Sequence, residues 1–261
     1  MKYFMWLRNR FIKQIIFILS MLYLIGIGLN DEKDISIKGL EIVRKADLVY
    51  LECYTSKLQC SIEKLEKLYG KKIIKADRNF VENSSEILDK SKDKKVAFLV
   101  IGNVFSATTH MDLFLRAKKK NIKVKIVNNA SILNAIGIIG LEIYKFGKIT
   151  SIPFENKNIK TPVEVYEMNK KNKLHTLFLL DLDPIKDKYL SIKGAVEYLI
   201  KNGVNEDVFG VGCARIGSKD FIIKYKKLKE LKKISFGKPP YCLIIPGKLH
   251  FIEEEALELW K

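Results

Sequence analysis

Six apolar residues in unbroken succession, Val96-Ala-Phe-Leu-Val-Ile101, constrain this chain more than any other feature. Asp93, Lys94 and Lys95 stand before them and Gly102 ends them. A strand that is apolar at every position, rather than at alternate ones, is buried on both faces, as in a parallel sheet packed between helices. Open sheets of this kind bind ligands beyond the carboxyl ends of their strands. The segment in that place is Gly102-Asn-Val-Phe-Ser-Ala-Thr-Thr-His110, followed by the helix-like pattern Met111, Leu113, Phe114, Leu115. Ser106, Thr108 and Thr109 therefore sit where the free amides of a helix start need partners, and where hydroxyls and amides can hold a carboxylate or a ribose. The plainer alternative is a strand-to-helix turn with an ordinary cap.

The same alternation runs through the first half. Residues 22–27 read as a buried strand, Gly28-Leu-Asn-Asp31 as a turn, 36–46 as an amphipathic helix and 48–51 as a second strand. Residues 62–69 form a helix stopped by Gly70, 72–75 a short strand, 85–91 a polar helix, 111–120 a helix and 123–127 a strand. Strand, loop and helix in recurring order imply a parallel α/β sheet. In the second half, 149–153, 174–180, 208–213, 221–225 and 241–245 read as strands, with helices only after Thr161 and over 191–202. A sheet without a helix between every pair of strands is mixed. Thr161-Pro-Val-Glu164 has the form of a capping box with proline at the first helical position. The polar turn Asn128-Asn-Ala-Ser131 marks the boundary, giving domains over 21–130 and 131–261 with a ligand cleft expected between them.

With 261 residues, 48% of them hydrophobic, the chain can bury a full core and is globular rather than disordered. Its net charge of +17 raises nucleic acid as a partner. Yet of the 47 basic residues only Arg8, Arg10, Arg44, Arg78, Arg116 and Arg215 are arginine. Phosphate and base recognition recruits the planar arginine fork, whereas dispersed lysine mainly confers solubility, so the charge reads as a generally cationic surface. Cys53, Cys60, Cys213 and Cys242 form no C-x-x-C pair, and His110, His175 and His250 are far apart, so there is no zinc signature. Such sparse cysteines in apolar runs read as reduced, buried thiols of a cytoplasmic protein.

Residues 1–20 differ from the rest, with Lys2, Arg8, Arg10 and Lys13, no acidic residue, and an apolar run from Ile15 to Leu19. The segment lacks a signal-peptide cleavage site. The uncharged stretch 15–29 is short of the ~20 residues a spanning helix needs, so no membrane association is expected. The reading adopted is an extension outside the fold, with the domain starting at Met21.

Gly26-x-Gly28 after a strand has part of a dinucleotide fingerprint, and Glu52 lies where a ribose-binding acid would fall. Asp31 occupies the third glycine position, however, and would oppose a pyrophosphate. His110 and His175 could serve as general bases or be structural, and no metal site, nucleophile or paired carboxylate stands out. Transfer from a pre-activated donor would need none of these, because alignment alone lowers its barrier.

Met21-Leu-Tyr-Leu-Ile-Gly-Ile-Gly-Leu-Asn30, Tyr54-Thr-Ser56, Ser106-Ala-Thr-Thr-His110, Asn129-Ala-Ser-Ile132 and Tyr144-Lys-Phe-Gly147 follow one another along the chain. His175-Thr-Leu177, Leu180-Asp181, Ala214-Arg-Ile-Gly217 and Pro246-Gly-Lys-Leu-His250 complete the series. Together, in this order, they resemble the diphthine synthases, methyltransferases of the tetrapyrrole methylase fold, in their archaeal form. The resemblance implies two α/β domains, a homodimer and S-adenosyl-L-methionine as methyl donor. It also implies translation elongation factor 2 as substrate, methylated on the amine of its 3-amino-3-carboxypropyl-histidine to give diphthine on the way to diphthamide. The donor contacts it implies are Leu29, Asn103, Ser106, Ser131, Ile132, Leu180, Ile216 and Tyr241; it assigns no catalytic side chain. Three positions depart from the family pattern. Asn103-Val104 replaces Asp-Pro, Asn128 replaces a histidine, and Tyr241 replaces another. The competing class is a lysine-rich RNA-associated protein that keeps the fold without efficient catalysis, separable by the steep salt dependence of phosphate-driven binding.

Overall fold

The computed structural model describes residues 20–261. Of the extension expected over residues 1–20, residues 1–19 lie outside the described residues; Ser20 is buried directly ahead of the first strand. Contacts divide the chain into two compact units, with Ser131 ending the first and Ile132 beginning the second.

The first unit is built on five parallel strands: β1 (Met21–Gly26), β2 (Leu48–Glu52), β3 (Ile74–Ala76), β4 (Lys95–Val100) and β5 (Val124–Val127), in the order β3-β2-β4-β1-β5. The apolar run of β4 lies between β2 and β1 and is covered on both faces. Val96, Phe98 and Val100 pack into one core with Leu22 and Leu24, while Ala97, Leu99 and Ile101 pack into the other with Ile25, Val43 and Val49. Removing the Val, Leu, Ile and Phe side chains of the run from water stabilises by about 1.5–3 kcal/mol each. Helices Ile37–Lys45, Ile62–Tyr69 and Met111–Lys119 supply the covering layers. A short helix, Arg78–Asn83, has no apolar period to announce it; Asp77 caps it by accepting the Phe80 amide at 2.7 Å.

The second unit carries a mixed sheet in the order β11-β10-β12-β7-β6: β6 (Thr150–Ile152), β7 (Thr176–Leu180), β10 (Phe209–Ala214), β11 (Ile222–Lys227) and β12 (Tyr241–Ile245). Only β6 and β7 pair in parallel. A two-stranded ribbon, β8 (Leu182–Asp183) with β9 (Lys188–Tyr189), follows β7. Helices Thr161–Lys171 and Ile192–Lys201 cover the face bearing Phe178, Leu180, Leu243 and Ile245. The C-terminal helix, Phe251–Glu258, covers the face bearing Leu177, Cys242 and Ile244.

Two local expectations are corrected. Thr161 is the first helical residue rather than a cap; Lys160 precedes the helix and no side chain caps it. The capping box lies instead at His250 and Glu253. Of the cysteines, Cys213 and Cys242 are buried opposite each other on β10 and β12, but Cys53 and Cys60 are half-buried. Among the described residues no helix is long and apolar enough to cross a membrane.

Candidate functional site

At the carboxyl ends of β1, β4 and β5 three loops are tied together by main-chain and amide hydrogen bonds. Gly28 and Gly102 pair as a two-residue bridge, the Gly102 amide donating to the Gly28 carbonyl at 2.7 Å. Both glycines have positive φ, +81° and +83°, a region that costs L-residues roughly 1–2 kcal/mol. The Asn129 side-chain nitrogen donates to the carbonyls of Gly26 and Asp34, at 3.1 and 2.9 Å. The Asp34 carboxylate in turn accepts the amides of Leu29 and Asn30, at 3.1 and 2.8 Å.

This lattice brings Leu29, Asn103, Ser106 and Ser131 to one end of the sheet. The Asn103 oxygen accepts from the Phe105 amide and the Ser106 hydroxyl, at 3.2 and 3.3 Å, and its nitrogen donates to the Asn129 carbonyl at 3.0 Å. Beside Gly102 lies a cradle. A methyl group added there would meet nothing nearer than the Leu29 side chain at 3.7 Å, the Ala130 carbonyl at 3.8 Å and Ser131 at 3.9 Å. An apolar side chain, a carbonyl acceptor and an open glycine face suit a group with both apolar and amino-bearing parts, as S-adenosylmethionine has.

The hydroxyls after β4 do not cap the following helix, contrary to the sequence expectation. His110 is its N-cap and gives no side-chain capping bond. Ala107 adopts a left-handed φ of +59°, and the hydroxyls bond elsewhere: Ser106 to Asn103, Thr108 to the Val104 carbonyl at 2.6 Å. Glu52 is likewise not free to hold a ribose. It is buried, accepting from the amides of Tyr54, Thr55 and Ile101 at 3.2, 3.0 and 3.1 Å. Burial pushes its pKa up, against the pull of Thr55, Tyr54 and Ile101. Its function is to lock the end of β2 to the end of β4.

His110 is also buried, its ring nitrogens facing the Tyr54 hydroxyl at 3.3 Å and the Val104 carbonyl at 3.4 Å; burial lowers its pKa to about 4. A neutral imidazole held in this way braces the loop rather than accepting a proton near neutrality.

In the second unit Leu180, Ile216 and Tyr241 gather at one edge. Leu180 ends β7, Tyr241 begins the antiparallel neighbour β12, and Tyr241 pairs with Ala214 at the end of β10, two residues before Ile216. Leu180 and Ile216 are buried and Tyr241 half-buried. Ile132 opens the short helix Ile132–Ala135 and is half-buried. His175 lies far from this edge, at the other end of β7. Its Nδ1 accepts the Gly247 amide at 2.9 Å, which makes Nε2 the donor to Glu253 at 2.9 Å. Sequence reasoning gave no organising role to Asp34, Asn129 or Arg215; the available signals were the places of Asn129 and Arg215 in the ordered motifs and the lone arginine within the small and apolar run Val211-Gly-Cys-Ala-Arg-Ile-Gly217. Among the described residues no cluster of His, Cys, Asp or Glu could hold a metal ion.

Comparison with known proteins agrees with this architecture. Residues 21–232 match the family described as Tetrapyrrole (Corrin/Porphyrin) Methylases. A diphthine synthase of Methanosarcina acetivorans is 46% identical over 253 residues, covering 91% of this chain and 94% of that protein. A diphthine methyl ester synthase of Dictyostelium discoideum is 40% identical over 269 residues, covering 92% and 98%. A crystal structure of diphthine synthase superposes with a TM-score of 0.88 at 42% identity, covering 92% of this chain and 96% of its own. Similarity of this extent does not favour the RNA-associated binding protein. The chain belongs to the tetrapyrrole methylase family and, within it, to the diphthine synthases.

Proposed function

We propose that this S-adenosylmethionine-dependent methyltransferase methylates the amine of the 3-amino-3-carboxypropyl-histidine on translation elongation factor 2, forming the trimethylated diphthine of diphthamide biosynthesis. The observation that carries the reading is the cradle at Gly102, lined by Leu29, Ala130 and Ser131, at the strand ends where α/β sheets take ligands. Similarity to diphthine synthases over nine-tenths of the chain supports the substrate. In this reading Leu29, Asn103, Ser106 and Ser131 of the first unit and Ile132, Leu180, Ile216 and Tyr241 of the second contact the donor. The protein acts as a cytoplasmic homodimer.

S-adenosylmethionine, when bound, supplies a methyl group on a sulfonium whose thioether leaves without a proton. The chain's own part is to align and to exclude water. Leu29 provides an apolar wall beside Gly102 in the first unit, and Leu180 and Ile216 are apolar residues at strand ends of the second. The Asn103 amide fixes the turn through Ser106 and adds no charge. The Ala130 carbonyl offers an acceptor beside Gly102. The attacking amine must be neutral, so it releases one proton to solvent before each transfer, while the thioether leaves without one.

Titration calorimetry with S-adenosylmethionine and its demethylated product, followed by a mass-shift assay on elongation factor 2 carrying the aminocarboxypropyl histidine, tests this. Binding of both ligands and a mass gain matching a trimethylated amine are expected. A further methyl, labile to base, would identify an additional ester. Donor bound with no methylation of that substrate would overturn the assignment.

A further inference from the structure

Arg215 is buried although arginine is rarely so, and it adopts a left-handed φ of +54° that side-chain-bearing residues avoid. Its guanidinium joins three segments. Nε donates to the Asp220 carboxylate at 2.9 Å and Nη2 to the Asp220 carbonyl at 2.6 Å. Nη1 donates to the carbonyls of Phe236, at 3.1 Å, and Lys238. The main-chain amide of Arg215 donates to the Pro240 carbonyl at 2.9 Å. Gly237, with φ +65°, lies beside the guanidinium, where a β-carbon would sit 3.5 Å from Nη1, and its carbonyl receives the Tyr241 hydroxyl.

Two residues in the proposed donor site are direct neighbours of this clamp. Ile216 follows Arg215 in the chain, so its backbone direction is set by the left-handed turn. Tyr241 is held from both sides, through Pro240 by the Arg215 amide and through Gly237 by the guanidinium. Asp220 is the charged partner among these contacts, and its carboxylate is exposed; carbonyls take three of the other four N–H donors, so the planar fork matters more than its charge. Lysine, with one donor centre on a flexible stem, cannot span Phe236, Lys238 and Asp220 together.

We propose that Arg215 is a positioning residue for the methyl donor, orienting Ile216 and Tyr241 without touching the donor itself. This rests on the donor site proposed above. The test uses the full chain and three variants, measured by calorimetry with S-adenosylmethionine and its demethylated product, by thermal melting and by steady-state kinetics. Arg215→Asn tolerates the left-handed backbone and removes the fork; Arg215→Lys keeps the charge; Asp220→Asn keeps the fork and removes the ion pair.

Folded Arg215→Asn and Arg215→Lys should bind both ligands about tenfold more weakly. They should raise KM for the donor while leaving KM for the protein substrate unchanged, and Asp220→Asn should stay near the parent. Unchanged donor affinity in a folded Arg215→Lys, or equal rises in KM for donor and protein substrate, would overturn the inference while leaving the donor site standing. If both Arg215 variants fail to fold while Asp220→Asn binds like the parent, the residue is structural and the positioning role falls. A parent protein that binds no donor would remove the proposed site and this inference with it.

Discussion

The side-chain nitrogen of Asn103 donates to the main-chain carbonyl of Asn129 at 3.0 Å, joining the loop after β4 to the loop after β5. The same nitrogen lies 3.4 Å from the Asn128 oxygen. Where the resemblance implies an Asp and a His, this chain has two carboxamides that meet across these two loops.

An aspartate at 103 would keep the bonds from Phe105 and Ser106 but would face the Asn129 carbonyl with an acceptor. Asn103→Asp should lose about 1–3 kcal/mol of stability, the cost of a broken, partly buried hydrogen bond. Because it adds an anion, it should also shift affinity toward the cationic donor over its neutral product. Asn128→His added to it should recover roughly 0.5–1 kcal/mol by donating to the new carboxylate, read as a coupling in a double-mutant cycle of denaturant melts. Strict additivity would show that the loops do not meet through these side chains.

Gly28 and Gly102 face the same backbone strain but different surroundings. A β-carbon at Gly28 would lie 2.4 Å from the Asp34 β-carbon, whereas one at Gly102 would enter the cradle. Gly102→Ala should lose about 1–2 kcal/mol from the left-handed backbone alone and weaken donor binding measurably by calorimetry. Gly28→Ala should lose clearly more stability in thermal melts. The reverse ranking of stability would mean that the Gly28 turn yields freely.

Glu253 is fully buried and joined to Lys145, to His175 and to the amides of Glu142 and His250, the last two at 2.9 and 2.8 Å. Burial pushes its pKa up, but Lys145, the two amides and His175 outweigh this and bring it to about 2. Its stabilisation is present above the unfolded carboxyl value and is lost as pH falls through about 2. Glu253→Ala leaves Nε2 of the buried His175 without its acceptor and Lys145 with Glu142 at 3.8 Å as its remaining acidic partner, and should cost about 3–5 kcal/mol in chemical denaturation at neutral pH. Wild-type stability in that variant would assign the C-terminal helix to apolar packing alone.

His110 gives acid sensitivity in a higher window. Its folded pKa, lowered by burial from 6.5 to about 4, lies below the unfolded one, so the unfolded chain binds the extra proton. The contribution is complete above pH 6.5 and falls away as pH drops toward 4, about 3 kcal/mol in all. Stability measured across that range should decline less steeply in His110→Gln than in the parent. Parallel profiles would show that the ring protonates in place.

The sequence alone determined those features carried by contiguous residues. The unbroken run 96–101 specified a strand buried on both faces, because every side chain of such a strand meets a helix layer. The shorter and mixed runs of the second half specified a mixed sheet, and the ordered motifs from Met21 onward specified the family. Tertiary structure decided what depends on partners distant in the chain. Ser106, Thr108 and Thr109 are hydroxyls before a helix, but only the left-handed turn at Ala107 sends them away from its amides. Glu52 stands at a ribose-binding spacing, but donors as far away as Ile101 consume its oxygens. Arg215 reaches carbonyls more than 20 residues onward, and Glu253 reaches His175 across 78. Hydrogen bonds between polar groups leave no periodicity in sequence, whereas burial does, so the layers could be read in advance and the clamps that shape the site could not.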